Sequence, residues 1–292
     1  MPSSQDNLLT YVCRFPIDTI GQAQENRLMK FDKVLVPIDG SSLSEVAVDL
    51  AVHSAGTFAS HITFVYVVDV TEYNRFGSID GGAMISFRMQ TEGKMFLENA
   101  AAMAKAAGLE VETQLIEGVP HQVLSDLSKD HYMIIMGVTG KSGGYGRVGG
   151  TAEKVIENAY CPVLTLKSGS NRIESVLLPV SNKNNAAIDV AIETVKRING
   201  KLTVYAVKSK DFDAETLVKD VADKCVAEGI NVVTEIGVGN PAEMIINKSG
   251  LYDLVVMGTE GRHGFKKILN GSVAEKVMLH AACPVTIVRD TE

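Results

Sequence analysis

Val34-Leu35-Val36-Pro37-Ile38-Asp39 opens the patterned part of the chain, and a variant, Val176-Leu177-Leu178-Pro179-Val180-Ser181, follows 142 residues later. The run is apolar without alternation, as expected of a strand buried on both faces. Other segments return too. Gly118-Val119-Pro120 matches Gly239-Asn240-Pro241, and Met136-Gly137-Val138-Thr139-Gly140 matches Met257-Gly258-Thr259-Glu260-Gly261, both at an offset of 121. Ala152-Glu153-Lys154-Val155 matches Ala274-Glu275-Lys276-Val277, and Cys161-Pro162-Val163 matches Cys283-Pro284-Val285, at 122. Self-similarity at a fixed period means two copies of one folding unit. The fall in offset gives the first copy 21 extra residues between its first strand and its Gly-x-Pro turn. The later rise by one takes a residue out of its glycine-rich loop.

Each copy alternates strands and helices. In the first, strand 33–38 is followed by Ser42-x-x-Glu45, which reads as a capping box, and by apolar residues at helical spacing. Ile62 to Val68 is the second strand. About 85–108 is a helix that ends at Gly108, a glycine suited to the C′ position. Val111–Ile116, Met133–Met136 and 163–167 are the remaining strands. Helices start at Pro120 and run over 151–160. This order predicts a parallel sheet with helices on both faces. The expected divisions are an extension over 1–28, one copy over 29–168 and a second over 173–292. Ser-Gly-Ser-Asn-Arg at 168–172 serves as the linker. The extension either lies outside the folded repeat or comes from an upstream start codon, and the mass of the native protein distinguishes these.

The chain has 292 residues, 46% hydrophobic and 22% charged, with a net charge of −7 and no dense basic run. That balance argues against nucleic acid or an anionic membrane as a partner. No apolar run approaches the ~20 residues of a membrane span, and the N-terminus lacks a secretory pattern. A cytoplasmic protein is expected. Cys13, Cys161, Cys225 and Cys283 show no metal-ligand spacing and read as buried thiols. The six histidines show none either, so no metal site is expected.

In open parallel sheets, ligands bind beyond the carboxyl ends of the strands, where the strand order reverses. The second copy has Gly258-Thr259-Glu260-Gly261 there, then nine residues, then Gly271-Ser272-Val273-Ala274. Glycines let backbone N–H groups surround phosphate oxygens, and a helix that starts at the loop end favours an anion. The Ser272 hydroxyl can add a hydrogen bond.

Gly-x2-Gly-x9-Gly-[Ser/Thr] after an apolar strand ending in Met-Gly resembles the ATP-binding signature of the universal stress protein family. Val-Leu-Val-Pro-Ile-Asp-Gly-Ser is similar to that family's first strand, and Ala-Glu-Lys-Val with Cys-Pro-Val to its last helix and strand. The resemblance spans about residues 30–290. It implies two tandem five-stranded parallel-sheet α/β sandwich domains, strand order 3-2-1-4-5, of the adenine-nucleotide α-hydrolase-like kind. Family domains pair, often through the last strand, so the two copies imply an internal pseudo-dimer. Further homodimerisation stays open. The implied ligand is ATP or AMP, with Mg²⁺ left open as a companion of ATP, and the implied role is regulatory, in the stress response.

Carried over residue by residue, the first copy offers Pro37, Ile38 and Asp39 for the nucleoside, with Val67 on strand two. Gly137, Gly140, Gly149, Gly150 and Thr151 would hold the phosphates. The loop fits the motif when counted from Gly140, but is one residue short when aligned on Ala-Glu-Lys-Val. The second copy offers Pro179, Val180 and Val207, then Gly258, Gly261, Gly271, Ser272 and Val273. Ser181 replaces the aspartate, and Asn182-Lys183-Asn184-Asn185 replaces Gly-Ser. The first copy is thus the better nucleoside site and the second the better phosphate cradle.

Two alternatives remain. A weak ATP hydrolase needs a positioned base and usually Mg²⁺ ligands, and no acid pair stands out in either glycine loop. A scaffold acting by protein contacts would bind no nucleotide. Tyr132, where the second copy has Asp253, reads as packing. The insertion near 70–90, with Arg75, Met84 and Met89, reads as a lid, an added contact surface or a disordered loop.

Overall fold

The computed structural model describes residues 33–55, 61–74, 79–140, 147–167, 172–181, 185–208, 213–259 and 272–289. The first copy runs β1 (Lys33–Pro37), α1 (Ser42–His53), β2 (His61–Asp69), α2 (Val70–Asn74), α3 (Ile79–Ala106), β3 (Val111–Gly118), α4 (Pro120–Leu127), β4 (Met133–Gly137), α5 (Gly150–Asn158) and β5 (Val163–Leu166). The second runs β6 (Ser175–Val180), α6 (Asn185–Ile198), β7 (Lys201–Val207), α7 (Ala214–Ala227), β8 (Val232–Gly237), α8 (Pro241–Ser249), β9 (Leu254–Thr259), α9 (Val273–His280) and β10 (Val285–Arg289). The predicted extension, the linker over 168–171 and the stretch 182–184 lie outside the described residues.

All ten strands belong to one sheet, in the order β3-β2-β1-β4-β5-β10-β9-β6-β7-β8. Each copy therefore has the order 3-2-1-4-5, and the order reverses between its first and fourth strands. The two five-stranded units are continuous through their last strands, the pairing that an internal pseudo-dimer implies. β5 and β10 pair antiparallel, Leu164 opposite Thr286, so the two sheets join edge to edge. The physical reason is that Val163-Leu164-Thr165-Leu166 and its counterpart are buried throughout. An apolar edge strand left open would be an aggregation template, and pairing the two edges removes both. Two cations reinforce the seam. Lys167 Nζ donates to the Leu279 carbonyl at 2.6 Å and Arg289 Nη1 to the Ala159 carbonyl at 3.5 Å. Each copy thus caps the C-terminal end of the other's last helix, where positive charge is favoured.

Buried side chains form one apolar layer beneath α1, α3 and α6 and another beneath the α4–α5 and α8–α9 pairs. Phe64, Leu35, Ile134, Leu177 and Leu178 are fully buried between them, as parallel strands covered on both faces require. Tyr132 packs as expected, with the Arg197 guanidinium of α6 stacked 4.9 Å from its ring centroid. In the second copy, Asp253 does different work and accepts from the Glu174 and Ser175 backbone N–H groups at 3.0 and 2.9 Å. Among the described residues no helix is long and apolar enough to cross a membrane.

The predicted capping box shifts by one residue. Ser41, with extended backbone, caps α1 and accepts from Ser44 N through its hydroxyl, a contact usually worth about 1 kcal/mol. α3 also starts earlier than predicted. Over its described length it is a continuous 28-residue helix, against 14 residues for α7. Gly108 and Gly229 both turn into the left-handed region after these helices, so the extra length lies wholly at the N-terminal end, over 79–92.

Candidate functional site

At the carboxyl ends of β1, β2 and β4 lies a cavity of about 340 Å³. It is lined by Pro37, Ile38, Asp39 and Val67, and by Gly137, Gly140, Gly149, Gly150 and Thr151. These are all nine residues proposed from the first copy, and the fold brings them together from three separate segments.

Asp39 ends the first strand and starts the turn into α1. Its Oδ1 accepts from the Ser41 N–H at 2.9 Å and the Ser41 hydroxyl at 2.6 Å. The same serine caps α1, so the carboxylate is held in a chain running from helix to hydroxyl to acid. Asp39 Oδ2 lies against the glycine loop. A Cβ built on Gly140 would sit 2.5 Å from it. Gly140 is therefore glycine because the carboxylate occupies the room a side chain would need. Gly137 is similarly constrained, since a Cβ there would meet Leu43 at 2.6 Å. Gly150 differs, with nothing within 4 Å. Its missing side chain leaves the cavity open rather than relieving a clash.

The far wall is the start of α5. Its N-cap is Gly149, without a side-chain cap, and Gly149 N donates back to the Val138 carbonyl at 2.9 Å. The N–H groups of the first turn have no intrahelical acceptor by construction. Here they stand at the cavity, where Gly149, Gly150, Thr151 and Ala152 line it. Partial positive charge at one wall and a carboxylate at the other suit a ligand with an anionic end and a hydrogen-bond-donating end.

The second copy places Pro179, Val180 and Val207 at the ends of β6 and β7, and Gly258 at the end of β9. Gly261 and Gly271 lie outside the described residues, as do Arg262, His263, Lys266 and Lys267. Ser272 is the N-cap of α9 and accepts from Glu275 N at 3.0 Å, with Val273 next in the helix. Its oxygen thus satisfies its own helix, a contact that the N-cap Gly149 of α5 has no side chain to make. Ser181 stands after β6 in place of Asp39.

The cavity also has a wall that motif matching does not find. Arg88, Met89 and Glu92 line it from α3, and Tyr66 from β2. The first three sit in the turns of α3 that the second copy lacks. The length difference between copies was the available signal, and of its three alternatives the disordered loop is overturned over 79–90. Helix α3 reaches the cavity because small residues let it close in. A Cβ on Gly93 would lie 2.5 Å from the Tyr66 ring, and one on Gly40, itself at φ +76°, 2.5 Å from Phe96.

The family model for universal stress proteins matches residues 30–167 and 206–289. The chain belongs to the universal stress protein family. A family member from Methanocaldococcus jannaschii is 35% identical over 141 residues, 47% of this chain and 82% of that one. One from Mycobacterium bovis is 24% identical over 290 residues, 88% of this chain and 97% of its own. Among solved structures, a universal stress protein from Archaeoglobus fulgidus superposes with a TM-score of 0.76 at 22% identity, covering 90% of this chain and 98% of that one. That likeness is one of fold. The universal stress protein match passes over β6, α6 and nearly all of β7, the part of the second copy where serine replaces aspartate.

Proposed function

We propose that the first copy binds an adenine nucleotide, ATP or AMP, and that the chain acts as a nucleotide-responsive regulator in stress. The supporting observation is the cavity itself, where Asp39 faces an uncapped helix N-terminus across a glycine-lined floor. The phosphates would lie along Gly140, Gly149, Gly150 and Thr151. The nucleoside would lie against Pro37, Ile38, Asp39 and Val67. The second copy, with Ser181 for Asp39 and a helix capped by its own Ser272, would serve chiefly as the fixed partner of the sheet. On this reading the units are 29–168 and 173–292, and the protein works in the cytoplasm.

The test is to denature the purified protein and identify what it releases, then to titrate emptied protein with ATP and AMP by calorimetry, with and without EDTA. One nucleotide per chain is expected. Asp39→Ala should weaken binding at least about tenfold, since a carboxylate accepting from a ligand contributes roughly 1.5–3 kcal/mol. Ser181→Ala should leave it unchanged. No nucleotide released and none bound would replace this reading with that of a scaffold. An EDTA effect on ATP but not AMP would assign Mg²⁺ to the ATP complex.

A further inference from the structure

We propose that Tyr66 and Glu92 read the sugar of the bound nucleotide, so that the first copy selects a ribose diol over deoxyribose. The inference rests on the nucleotide reading above and adds what that site discriminates.

Tyr66 lies in β2 and is 4% exposed. Its ring is fixed by stacking on Phe96, centroids 6.3 Å apart, and by the close approach of α3 at Gly93. The side chain lines the cavity, and among the described residues its hydroxyl has no hydrogen-bond partner. A tyrosine hydroxyl in a cavity wall that spends neither its hydrogen nor its lone pairs on the protein is available to a ligand atom. Burial, with the carboxylates of Glu92, Asp39 and Glu72 nearby and Arg88 acting in opposition, pushes the phenol up to about 12. The group therefore stays protonated at physiological pH and donates.

Carboxylates and a phenol make complementary demands. Glu92 and Asp39 only accept, whereas the Tyr66 O–H also donates. A vicinal diol can do both at once, giving its hydrogens to the acids and receiving one from the tyrosine. A sugar lacking one hydroxyl leaves a buried partner unmatched, the kind of mismatch by which polar sites reject analogues. The recognition set belongs to the first copy alone. Ala206 stands where Tyr66 does, and Glu92 corresponds to Asp213, whose carboxylate accepts from the Glu215 N–H at 3.1 Å in capping α7.

The experiment is calorimetry on the full chain with ATP, 2′-deoxy-ATP and 3′-deoxy-ATP, for the wild type, Tyr66→Phe and Glu92→Gln, with thermal melts alongside. The wild type should prefer ATP to at least one deoxy analogue by about tenfold. Tyr66→Phe, which keeps the ring and its stacking, should weaken ATP about five- to tenfold and leave that analogue unchanged, so the ratio collapses toward one. Glu92→Gln should act in the same direction. A wild-type ratio near one, or an unchanged ratio in Tyr66→Phe, overturns the sugar assignment while leaving nucleotide binding intact. A wild type that binds none of the three overturns both readings together. A melting shift without a change in ratio marks Tyr66 as structural only and also overturns the proposal.

Discussion

The two copies share a scaffold and differ at its ligand-facing end. Both have the order 3-2-1-4-5, both turn through a positive-φ glycine after the long helix, and both send a cation from the last strand to the other copy's last helix. Yet Asp39 is matched by Ser181, Tyr66 by Ala206, and the 28 residues of α3 by 14 in α7. Burial explains the contrast. Strand interiors are covered on both faces and are filled mainly by apolar residues, with a few buried threonines among them. Strand ends and first helical turns bear little packing, so they are free to differ between the copies.

The sharpest way to break this comparison is Gly140→Val. The new side chain would claim the space of the Asp39 carboxylate, displacing it from Ser41 and filling the loop that faces α5. Nucleotide binding should fall at least about a thousandfold, roughly 4 kcal/mol, while the thermal melt changes little because the site is at the sheet's end. Retained affinity would move the nucleotide out of the first copy.

Much of this was legible in the residues. The repeat gave the alternation of strands and helices, and with it a parallel sheet covered on both faces, whereas the strand order within each copy came from the family resemblance. Asp39 and the four glycines of its loop were legible because each carries a backbone or charge demand that few residues meet. The joining of the sheets rested on family resemblance, since nothing in Val163–Leu166 alone says which edge it pairs with. Tyr66 and Glu92 were not legible. A tyrosine within a strand reads as core, and only the tertiary approach of α3 through Gly93 makes it part of the cavity wall. The Ser42 cap missed by one residue because Ser41 and Ser42 are chemically equal and only backbone geometry separates them.

A second contrast is one of volume. Val65 lines the cavity in β2, with Ile116 on the neighbouring strand. In the second copy the same two places hold Tyr205 and Gly237. A Cβ on Gly237 would lie 2.0 Å from the Tyr205 hydroxyl, so the large residue has changed strands. Lys248, paired with Glu235, lies 5.2 Å from the Tyr205 ring centroid. Gly237→Ile alone should overpack this layer and Tyr205→Val alone should leave a void, each costing about 2–3 kcal/mol. Together they should cost under about 1.5 kcal/mol, a coupling visible in a urea double-mutant cycle. Additive losses would show that the two positions do not share one volume.

The smallest expected effect separates the copies by pH. His131 precedes β4 in the first copy, and Tyr252 holds that place in the second. His131 is 5% exposed, with Nδ1 2.7 Å from the Leu127 carbonyl and Nε2 3.1 Å from Thr63 Oγ1. Burial holds its proton affinity below the usual histidine range. The Leu127 carbonyl, Asp130 and Glu112 oppose this, and Lys33 adds to it. A base whose folded pKa is depressed is protonated first in the unfolded chain. Its contribution is therefore fully present above the unfolded value, about 6.5, and is lost as pH falls from there toward the folded value. The urea midpoint should drop as pH falls below about 6.5, and His131→Gln should flatten that limb whatever its own cost at neutral pH. Because the second copy has no histidine at this place, hydrogen exchange should show the acid loss in β2 and β4 before β7 and β9. An equal loss in both copies would mean that the sheet responds as one unit and that the buried histidine does not set its acid limit.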